Sequence, residues 1–170
     1  VREVIEDITG LDVKIKWPND ILVNNKKIAG ILIENSIRGN TILYSIAGIG
    51  INVNQEVFSD FPLQATSLKN EMKKNFSISE VLNKLCLSFN KWYAELDKEN
   101  FKLMRNSYLK TIYQIGKSTK YKSKNEIFKG TIRGVNSDGK LQIENENGEL
   151  LNFSFKEVTY LFDELPLINP

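Results

Sequence analysis

The fold is decided by residues 13–33, which read VKIKWPNDILVNNKKIAGILI. Apolar residues alternate with lysines at the start of this stretch, a pattern typical of a strand with one buried face. A short apolar run, two consecutive asparagines and a second apolar run follow. Because asparagine tolerates the positive φ angles of a tight turn, the stretch predicts a strand and then a β-hairpin that turns at Asn24 and Asn25.

The flanking residues add a helix and a further strand. Apolar residues recur at helical spacing over residues 1–8, and Gly10 stands where a helix would end. A second turn is predicted at Arg38-Gly39-Asn40, followed by a strand at 41–46 and a glycine-bearing segment at 47–54. We therefore expect an α+β domain whose mixed or antiparallel sheet carries a packed helix. Because no capping residue precedes the first helix, we also expect further residues upstream.

The middle of the chain predicts two helices. Residues 55–76 have no regular pattern, but Ser77 and Glu80 then form a capping box. A wide apolar stripe predicts a helix over residues 79–97 that packs into the core. A second, shorter helix is expected between Phe101 and Ile112.

The pattern changes near residue 114. After Gly116, short β-prone runs are separated by turn sequences rich in Asn, Asp and Gly, which predicts four or five strands and hence a small β-barrel. We therefore expect two domains, at residues 1–113 and 114–170.

Composition narrows the chemistry. The chain has 170 residues, no His, one Cys and a formal net charge of +2. The lack of His excludes a Ser-His-Asp triad and an imidazole zinc site, and the single Cys excludes a disulfide framework. The charge does not favour nucleic acid as a partner, and no apolar run approaches the roughly 20 residues that span a bilayer. We expect a cytoplasmic protein whose chemistry relies on Lys, Asp, Asn and backbone groups.

Polar residues in the first hairpin form the candidate site. Pro18 interrupts the first strand, so Asn19 and Asp20 fall on a turn, where an amide and a carboxylate can bind a nucleotide and Mg²⁺. Lys27 can hold carboxylate and phosphate groups as a point charge. Gly30 lacks a Cβ and would let a ligand lie against the strand. Taken singly, each residue also fits an ordinary turn or a solvated hairpin.

Gly48 and Gly50 form a second glycine-bearing segment, through which backbone can approach a ligand closely. This segment is not a dinucleotide or P-loop fingerprint, because no helical pattern follows and no G-K-[ST] is present.

Three segments together resemble biotin protein ligases in order and spacing. They lie at residues 13–21, 27–34 and 48–54 and read VKIKWPNDI, KIAGILIE and GIGINVN. Residues 65–68, Ala-Thr-Ser-Leu, resemble a further segment of that family. The pairing of W-P-N-D with K-x-A-G-I-L is highly specific, and the resemblance covers essentially the whole chain.

The resemblance implies both fold and activity. Residues 1–113 would be part of a catalytic domain related to class II aminoacyl-tRNA synthetases, and residues 114–170 would be an SH3-like domain. The family activates biotin with MgATP, giving biotinyl-5′-adenylate and pyrophosphate, and then transfers biotin to a lysine of a biotin carboxyl carrier domain. The implied ligands are therefore biotin, ATP and Mg²⁺, and the implied partner is the carrier domain.

The resemblance also implies roles for single residues. Lys27 would be the catalytic lysine and would contact the biotin carboxylate and the α-phosphate. The other biotin-binding residues would be Gly30, Ile31, Leu32, Gly48, Ile49 and Gly50. The ATP-binding residues would be Lys16, Asn19, Asp20 and Asn52, of which Asp20 and Asn52 would also hold the metal ion.

One departure from the family concerns activity. The family's arginine- and glycine-rich loop, which covers biotin and the adenylate, precedes the W-P-N-D segment and has no counterpart in this sequence. We therefore expect the 170-residue chain by itself to have little or no ligase activity. Some members carry an upstream DNA-binding domain, and the sequence leaves that question open.

Two other functions remain open on the sequence. A lipoate or octanoyl ligase-transferase shares the catalytic fold and would use a lysine in a similar role. A non-catalytic binding or dimerisation module is the second alternative, since lysines cluster at residues 117–124. Nearby glutamates dilute that cluster and favour a solvated face. Self-association through exposed sheet edges would give a homodimer.

Overall fold

The structure is a computed structural model that describes residues 1–58 and 64–161. It divides into two compact units, Val1–Tyr113 and Gln114–Pro170. The elements of the first unit are α1 (Arg2–Thr9), β1 (Val13–Lys16), β2 (Asp20–Val23), β3 (Lys26–Arg38), β4 (Thr41–Ile51), α2 (Leu68–Met72), α3 (Ile78–Asp97) and α4 (Phe101–Lys110). Its strands form one sheet in chain order with antiparallel neighbours. The predicted α+β fold is confirmed.

Two turns set the register of this sheet. Asn24 and Asn25 adopt φ angles of 49° and 61°, which confirms the predicted hairpin turn between β2 and β3. The turn between β1 and β2 contains Trp17 and Pro18, joined by a cis peptide bond. The first strand ends at Lys16, before Pro18, because proline lacks the N–H that would continue the ladder.

One face of the sheet packs against helices and forms the core. α1, α2 and α3 supply Ile5, Leu68 and Val81, respectively. The buried residues that the strands supply are Val13, Ile21, Val23, Ile28 and Ala29. Since side chains alternate along a strand, Leu22, which lies between Ile21 and Val23, points to the opposite face. The register shift between β2 and β3 lets the adjacent residues Ile28 and Ala29 both reach the core.

The apolar stripe of α3 lies largely outside this core, so the prediction that it packs inside was wrong. Leu82, Phe89, Tyr93 and Leu96 are between 44% and 56% exposed. Val81 is the buried residue of α3, and α1 meets this helix at Glu3, which accepts a hydrogen bond from Trp92. In the part of the chain that the structure describes, no helix has the length and apolar character needed to cross a membrane.

The outer parts of β3 and β4 form a two-stranded ribbon. These strands pair from Ala29 and Ile51 out to Arg38 and Thr41, whereas β2 follows β3 only to Gly30. The large apolar residues of the ribbon that are more than half exposed are Leu32, Ile33, Ile37, Ile42, Leu43, Tyr44 and Ile46. Backbone pairing therefore holds the ribbon together more than burial does.

α2 lies where the sequence pattern predicted no regular structure. Ser67 caps it, since its Oγ accepts a hydrogen bond of 3.1 Å from the Asn70 amide. Leu68 is fully buried. With only 5 residues, the helix is too short to produce a readable apolar period.

The second unit contains five strands: β5 (Ser118–Ser123), β6 (Glu126–Val135), β7 (Leu141–Asn145), β8 (Leu150–Phe153) and β9 (Thr159–Tyr160). They form an antiparallel sheet in the order β8-β7-β6-β5-β9. The predicted set of short strands is confirmed. The predicted barrel is not closed by strand pairing within the described residues, because the edge strand β9 has 2 residues and pairs with β5 alone.

Glu3 joins α1 to α3. Its carboxylate pairs with Lys91 and accepts hydrogen bonds from Trp92 Nε1 at 2.8 Å and Ser88 Oγ at 3.4 Å. The hydrogen bond from Lys91, assisted by those from Trp92 and Ser88, lowers the pKa of Glu3 below its ordinary value. Glu3 therefore stabilises the fold above its ordinary pKa, and this contribution is lost as the pH falls through the lowered pKa.

Replacing Glu3 with Gln should lower the free energy of unfolding by about 1 kcal/mol at neutral pH, because charge-assisted hydrogen bonds are lost from a partly exposed carboxylate. The difference should shrink as the pH falls below the ordinary glutamate pKa of about 4.3, because the stability contributed by the Glu3 carboxylate is lost from there down to its lowered pKa. Urea denaturation followed by tryptophan fluorescence measures both. Glu6→Gln, which breaks the pair with Arg2 one turn away on α1, is the control and should cost under about 0.5 kcal/mol. A Glu3→Gln difference that stays constant with pH would contradict the assignment.

Candidate active site

One row of residues crosses the four strands of the first sheet on the face opposite the core. The register pairs Lys16 with Asp20, Asp20 with Gly30, and Gly30 with Gly50. Paired residues in a sheet lie on the same face. The row therefore brings two charged and two side-chain-free positions, from distant parts of the sequence, onto one surface.

Two lysines converge on one carboxylate in this row. Lys27 Nζ lies 2.6 Å from Asp20 Oδ1, and Lys16 Nζ lies 3.4 Å from Asp20 Oδ2. The side chains of Lys16 and Asp20 are 19% and 17% exposed, whereas that of Lys27 is 42% exposed. The two lysines and one carboxylate leave a net charge of +1, so the cluster can accept an anion.

Glycines form the floor beside this cluster. A Cβ added at Gly30 would lie 3.3 Å from Lys27 Cε and 3.4 Å from its Nζ, so the lysine side chain extends across the glycine. Leu32, on the same face two residues along β3, is paired with Gly48 and is 62% exposed. The surface therefore combines an ammonium group, bare backbone and an apolar side chain.

Ile31 and Ile49, which the sequence also suggested, are placed differently. They pair with each other one position along from the glycines, so they occupy the opposite face. Ile31 packs against the core cluster, and its backbone N–H donates a 3.0 Å hydrogen bond to the Asn19 carbonyl. Their side chains therefore do not share the surface that carries Lys27.

Asn52, which the resemblance predicts to bind ATP and the metal ion, makes hydrogen bonds within the protein. Its backbone N–H donates to the Ile28 carbonyl at 2.9 Å, and its Nδ2 donates to the Thr66 carbonyl at 3.0 Å. The side-chain nitrogen is thus used within the protein, and the carbonyl oxygen is the atom that a nucleotide or metal ion would meet.

Sequence reasoning did not identify the segment that holds the backbone of Lys27. Lys27 forms an isolated parallel bridge with Ala65, with hydrogen bonds to Gln64 and Thr66. The only sequence signal for this contact is the Ala-Thr-Ser-Leu text at residues 65–68. Its pairing with a residue nearly 40 positions earlier cannot be read from a local pattern.

The donor set for a metal ion is limited. Across residues 1–58 and 64–161, no group of three or more Cys, Asp or Glu side chains could hold one. Asp20 supplies a single carboxylate. Mg²⁺ is commonly held by one or two carboxylates together with nucleotide phosphates, so Asp20 fits a metal ion that arrives with a nucleotide.

Fold and site together define an α+β protein whose sheet presents a surface suited to a flat ligand with an anionic group. Comparison with known families agrees with this class. Residues 1–52 match the biotin/lipoate A/B protein ligase family, and residues 115–159 match the biotin protein ligase C-terminal domain.

Individual relatives are equally consistent. The bifunctional ligase/repressor BirA of Bacillus subtilis is 36% identical over 155 residues, which are 87% of this chain and 46% of that protein. The biotin–[acetyl-CoA-carboxylase] ligase of Paracoccus denitrificans is 29% identical over 138 residues, 79% of this chain and 58% of that protein. The structure of the Aquifex aeolicus biotin protein ligase in complex with biotin and ATP matches with a TM-score of 0.72 and 27% identity, over 93% of this chain and 66% of that one.

The chain belongs to the biotin protein ligase family, which confirms the resemblance found in the sequence. It spans 46% of the length of each of its two relatives from Bacillus, or about half.

Proposed function

We propose that the protein attaches biotin to a lysine of a biotin carboxyl carrier domain in two steps. In the first step, a carboxylate oxygen of biotin attacks the α-phosphorus of ATP, and pyrophosphate leaves. In the second step, the carrier lysine attacks the acyl carbon of biotinyl-5′-adenylate, and AMP leaves. The Aquifex aeolicus relative in complex with biotin and ATP supports the choice of substrates, and the name of the Paracoccus denitrificans relative supports a carboxylase as the final acceptor.

The observation that carries the proposal is the convergence of Lys16 and Lys27 on Asp20 beside the floor of Gly30 and Gly50. Adenylation brings the biotin carboxylate against the α-phosphate, so negative charge accumulates between two anions. Lys27 is the more exposed of the two lysines and extends over the glycine floor. Its ammonium would bridge the carboxylate and the phosphate as the new bond forms, which lowers the energy of the transition state.

The biotin side of the site would be the glycine floor. Gly30, Gly48 and Gly50 leave backbone accessible, so the fused rings of biotin could lie flat against β3 and β4 with Leu32 as an apolar neighbour. Ile31 and Ile49 would contribute backbone groups only, because their side chains occupy the other face.

The nucleotide side would lie toward the turn between β1 and β2. Lys16 would hold the phosphates, and Asn19 and Asp20 would bind ATP and its metal ion, with the carbonyl of Asn52 as a further ligand. When bound, Mg²⁺ would neutralise part of the charge on the phosphates. Binding would require Asp20 to exchange its present contacts with Lys16 and Lys27 for contacts to the metal ion.

The two units would form different domains of the ligase. Residues 1–113 would supply part of the catalytic domain and residues 114–170 the SH3-like domain, as the separate family matches suggest. Since the site residues all lie in the first unit, we assign the chemistry to that unit.

The test is transfer of biotin to a purified carrier domain, detected by streptavidin blotting, with the 170-residue chain and with the protein that contains it. Biotin attachment that requires ATP and proceeds through pyrophosphate release is expected from the protein that contains the chain. Lipoate offered in place of biotin is the control, because the first family model also covers lipoate ligases. Attachment of lipoate without attachment of biotin would refute the proposal, and calorimetric titration with each acid would show the same preference.

A further inference from the structure

We infer that Glu71 is a positioning residue for Lys27, acting through Thr66; this inference rests on the proposed function of Lys27. The carboxylate of Glu71 ties together two segments that flank Lys27 in space. One is the hairpin turn that begins at Asn24, and the other is the segment that pairs with the Lys27 backbone.

The Lys27 backbone is held by the segment at residues 64–66. β4 ends at Ile51, opposite Ala29, so it does not reach Lys27. The segment at residues 64–66 takes its place as the neighbour of β3. Lys27 N–H donates to the Gln64 carbonyl at 2.8 Å, and Thr66 N–H donates to the Lys27 carbonyl at 2.9 Å. Both backbone hydrogen bonds of Lys27 on this side therefore depend on where this segment lies.

Thr66 is itself held by hydrogen bonds from two sides. Thr66 is only 2% exposed, and its Oγ1 donates a 2.5 Å hydrogen bond to Glu71 Oε1. Its carbonyl accepts from Asn52 Nδ2 at 3.0 Å. Thr66 is thus fixed from one side by Glu71 and from the other by the end of β4.

The other carboxylate oxygen of Glu71 contacts the hairpin turn. Glu71 Oε2 accepts a 2.8 Å hydrogen bond from Asn24 Nδ2, and Asn24 lies three residues before Lys27 in a turn with φ of 49°. One carboxylate therefore joins the start of the hairpin turn to the segment that pairs with Lys27. The Glu71 carboxylate therefore fixes both the turn that precedes Lys27 in the sequence and the segment that pairs with the Lys27 backbone.

Loss of Glu71 would change the position of the Lys27 ammonium. The hydrogen bonds of Glu71 go to Asn24 and Thr66, which lie outside the row on the sheet face, so its loss should leave ligand contacts in place. Loss of the tie would let residues 24–27 shift against β2 and move the Lys27 ammonium away from the reacting atoms. Displacement of a catalytic group by about 1 Å can cost up to about a hundredfold in rate, so a smaller shift should still be measurable.

The experiment measures adenylate formation by pyrophosphate release in the protein that contains this chain. Glu71→Ala should lower kcat about tenfold, while KM for biotin and for ATP changes less than about twofold. Glu71→Gln should retain most of the activity, because its amide can accept from Thr66 and donate to Asn24 after the exposed Asn24 amide turns over. Glu80→Ala, at an exposed position on α3, is the matched control and should leave kcat unchanged. If Glu71→Ala does not fold, Thr66→Val, which removes only the hydroxyl donor, takes its place and should give the same loss of kcat.

A double-mutant cycle with Lys27→Ala decides whether Glu71 acts through Lys27. In the Lys27→Ala background, Glu71→Ala should cause less than about a twofold further loss. An equal loss in both backgrounds, or a rise in KM with unchanged kcat, would overturn the inference. The proposed function fails separately, if Lys27→Ala itself leaves the rate unchanged; a slow Lys27→Ala with a fully active Glu71→Ala would overturn only the role of Glu71.

Discussion

Replacing Lys27 with Ala is expected to slow biotinyl-5′-adenylate formation by at least about a hundredfold in the protein that contains this chain. The Lys27 ammonium is the more exposed of the two that converge on Asp20, lies 2.6 Å from Asp20 Oδ1, and extends over the floor on which we place biotin. Its removal takes away the positive charge at the point where two anions meet, which a neighbouring water molecule cannot replace. Single-turnover pyrophosphate release with saturating biotin and ATP measures the loss.

Lys26→Ala is the matched control, because it removes the same charge one residue away. Lys26 pairs with Val23, while Lys27 pairs with Leu22, so the two side chains leave the strand on opposite faces. We expect the control to keep its rate within about twofold. Equal losses in both variants would show that general charge near the hairpin matters and would contradict a specific role for Lys27.

Gly130→Ala should lower the free energy of unfolding of the second unit, by more than any of the other substitutions lowers stability. An added Cβ would lie 2.6 Å from Ile143 Cγ2 and 2.9 Å from the Glu144 carbonyl oxygen. The first contact is with a fully buried side chain and the second is with backbone of β7, which is paired to β6, so neither can move without disturbing the sheet. Overpacking of this kind costs about 1–3 kcal/mol, and we expect the upper end of that range.

Urea denaturation followed by far-ultraviolet circular dichroism measures this effect. Lys129→Ala, at the exposed neighbouring position, is the control and should change the free energy of unfolding by less than about 0.5 kcal/mol. Because Trp17 and Trp92 both lie in the first unit, tryptophan fluorescence reports on that unit separately. If Gly130→Ala unfolds as the wild type does, the tight contact between β6 and β7 is not present in solution.

Local patterns were sufficient for much of the fold. The Asn24-Asn25 turn, the capping residue Ser77 and the strand alternation from Val13 each reflect physical preferences of a few adjacent residues, and the structure contains all three elements. The row on the sheet is different. From the turn at Asn24, alternation alone would pair Asp20 with Ala29, and the register shift between Ile21 and Leu22 is what brings Gly30 opposite Asp20.

Other features depend on contacts that a local pattern does not contain. Glu71 meets Asn24 across 47 positions, and Thr66 meets Lys27 across nearly 40, so neither partner can be found from spacing. For the apolar stripe on α3, the local pattern predicted the helix correctly but not its burial. Its period is helical, but period alone does not tell which neighbour covers it, and Phe89 and Tyr93 stack on each other at an exposed surface.

The pairing of Asp20 with both lysines has a thermodynamic consequence. The protein carries its own counter-ion, so two partly buried ammonium groups are compensated before any substrate arrives. An incoming phosphate or carboxylate exchanges with Asp20, and its affinity reflects the difference between two ion pairs, not the full strength of one. Dissolved salt weakens the bonds on both sides of that exchange. Substrate affinity should therefore depend less steeply on ionic strength than two uncompensated lysines would require.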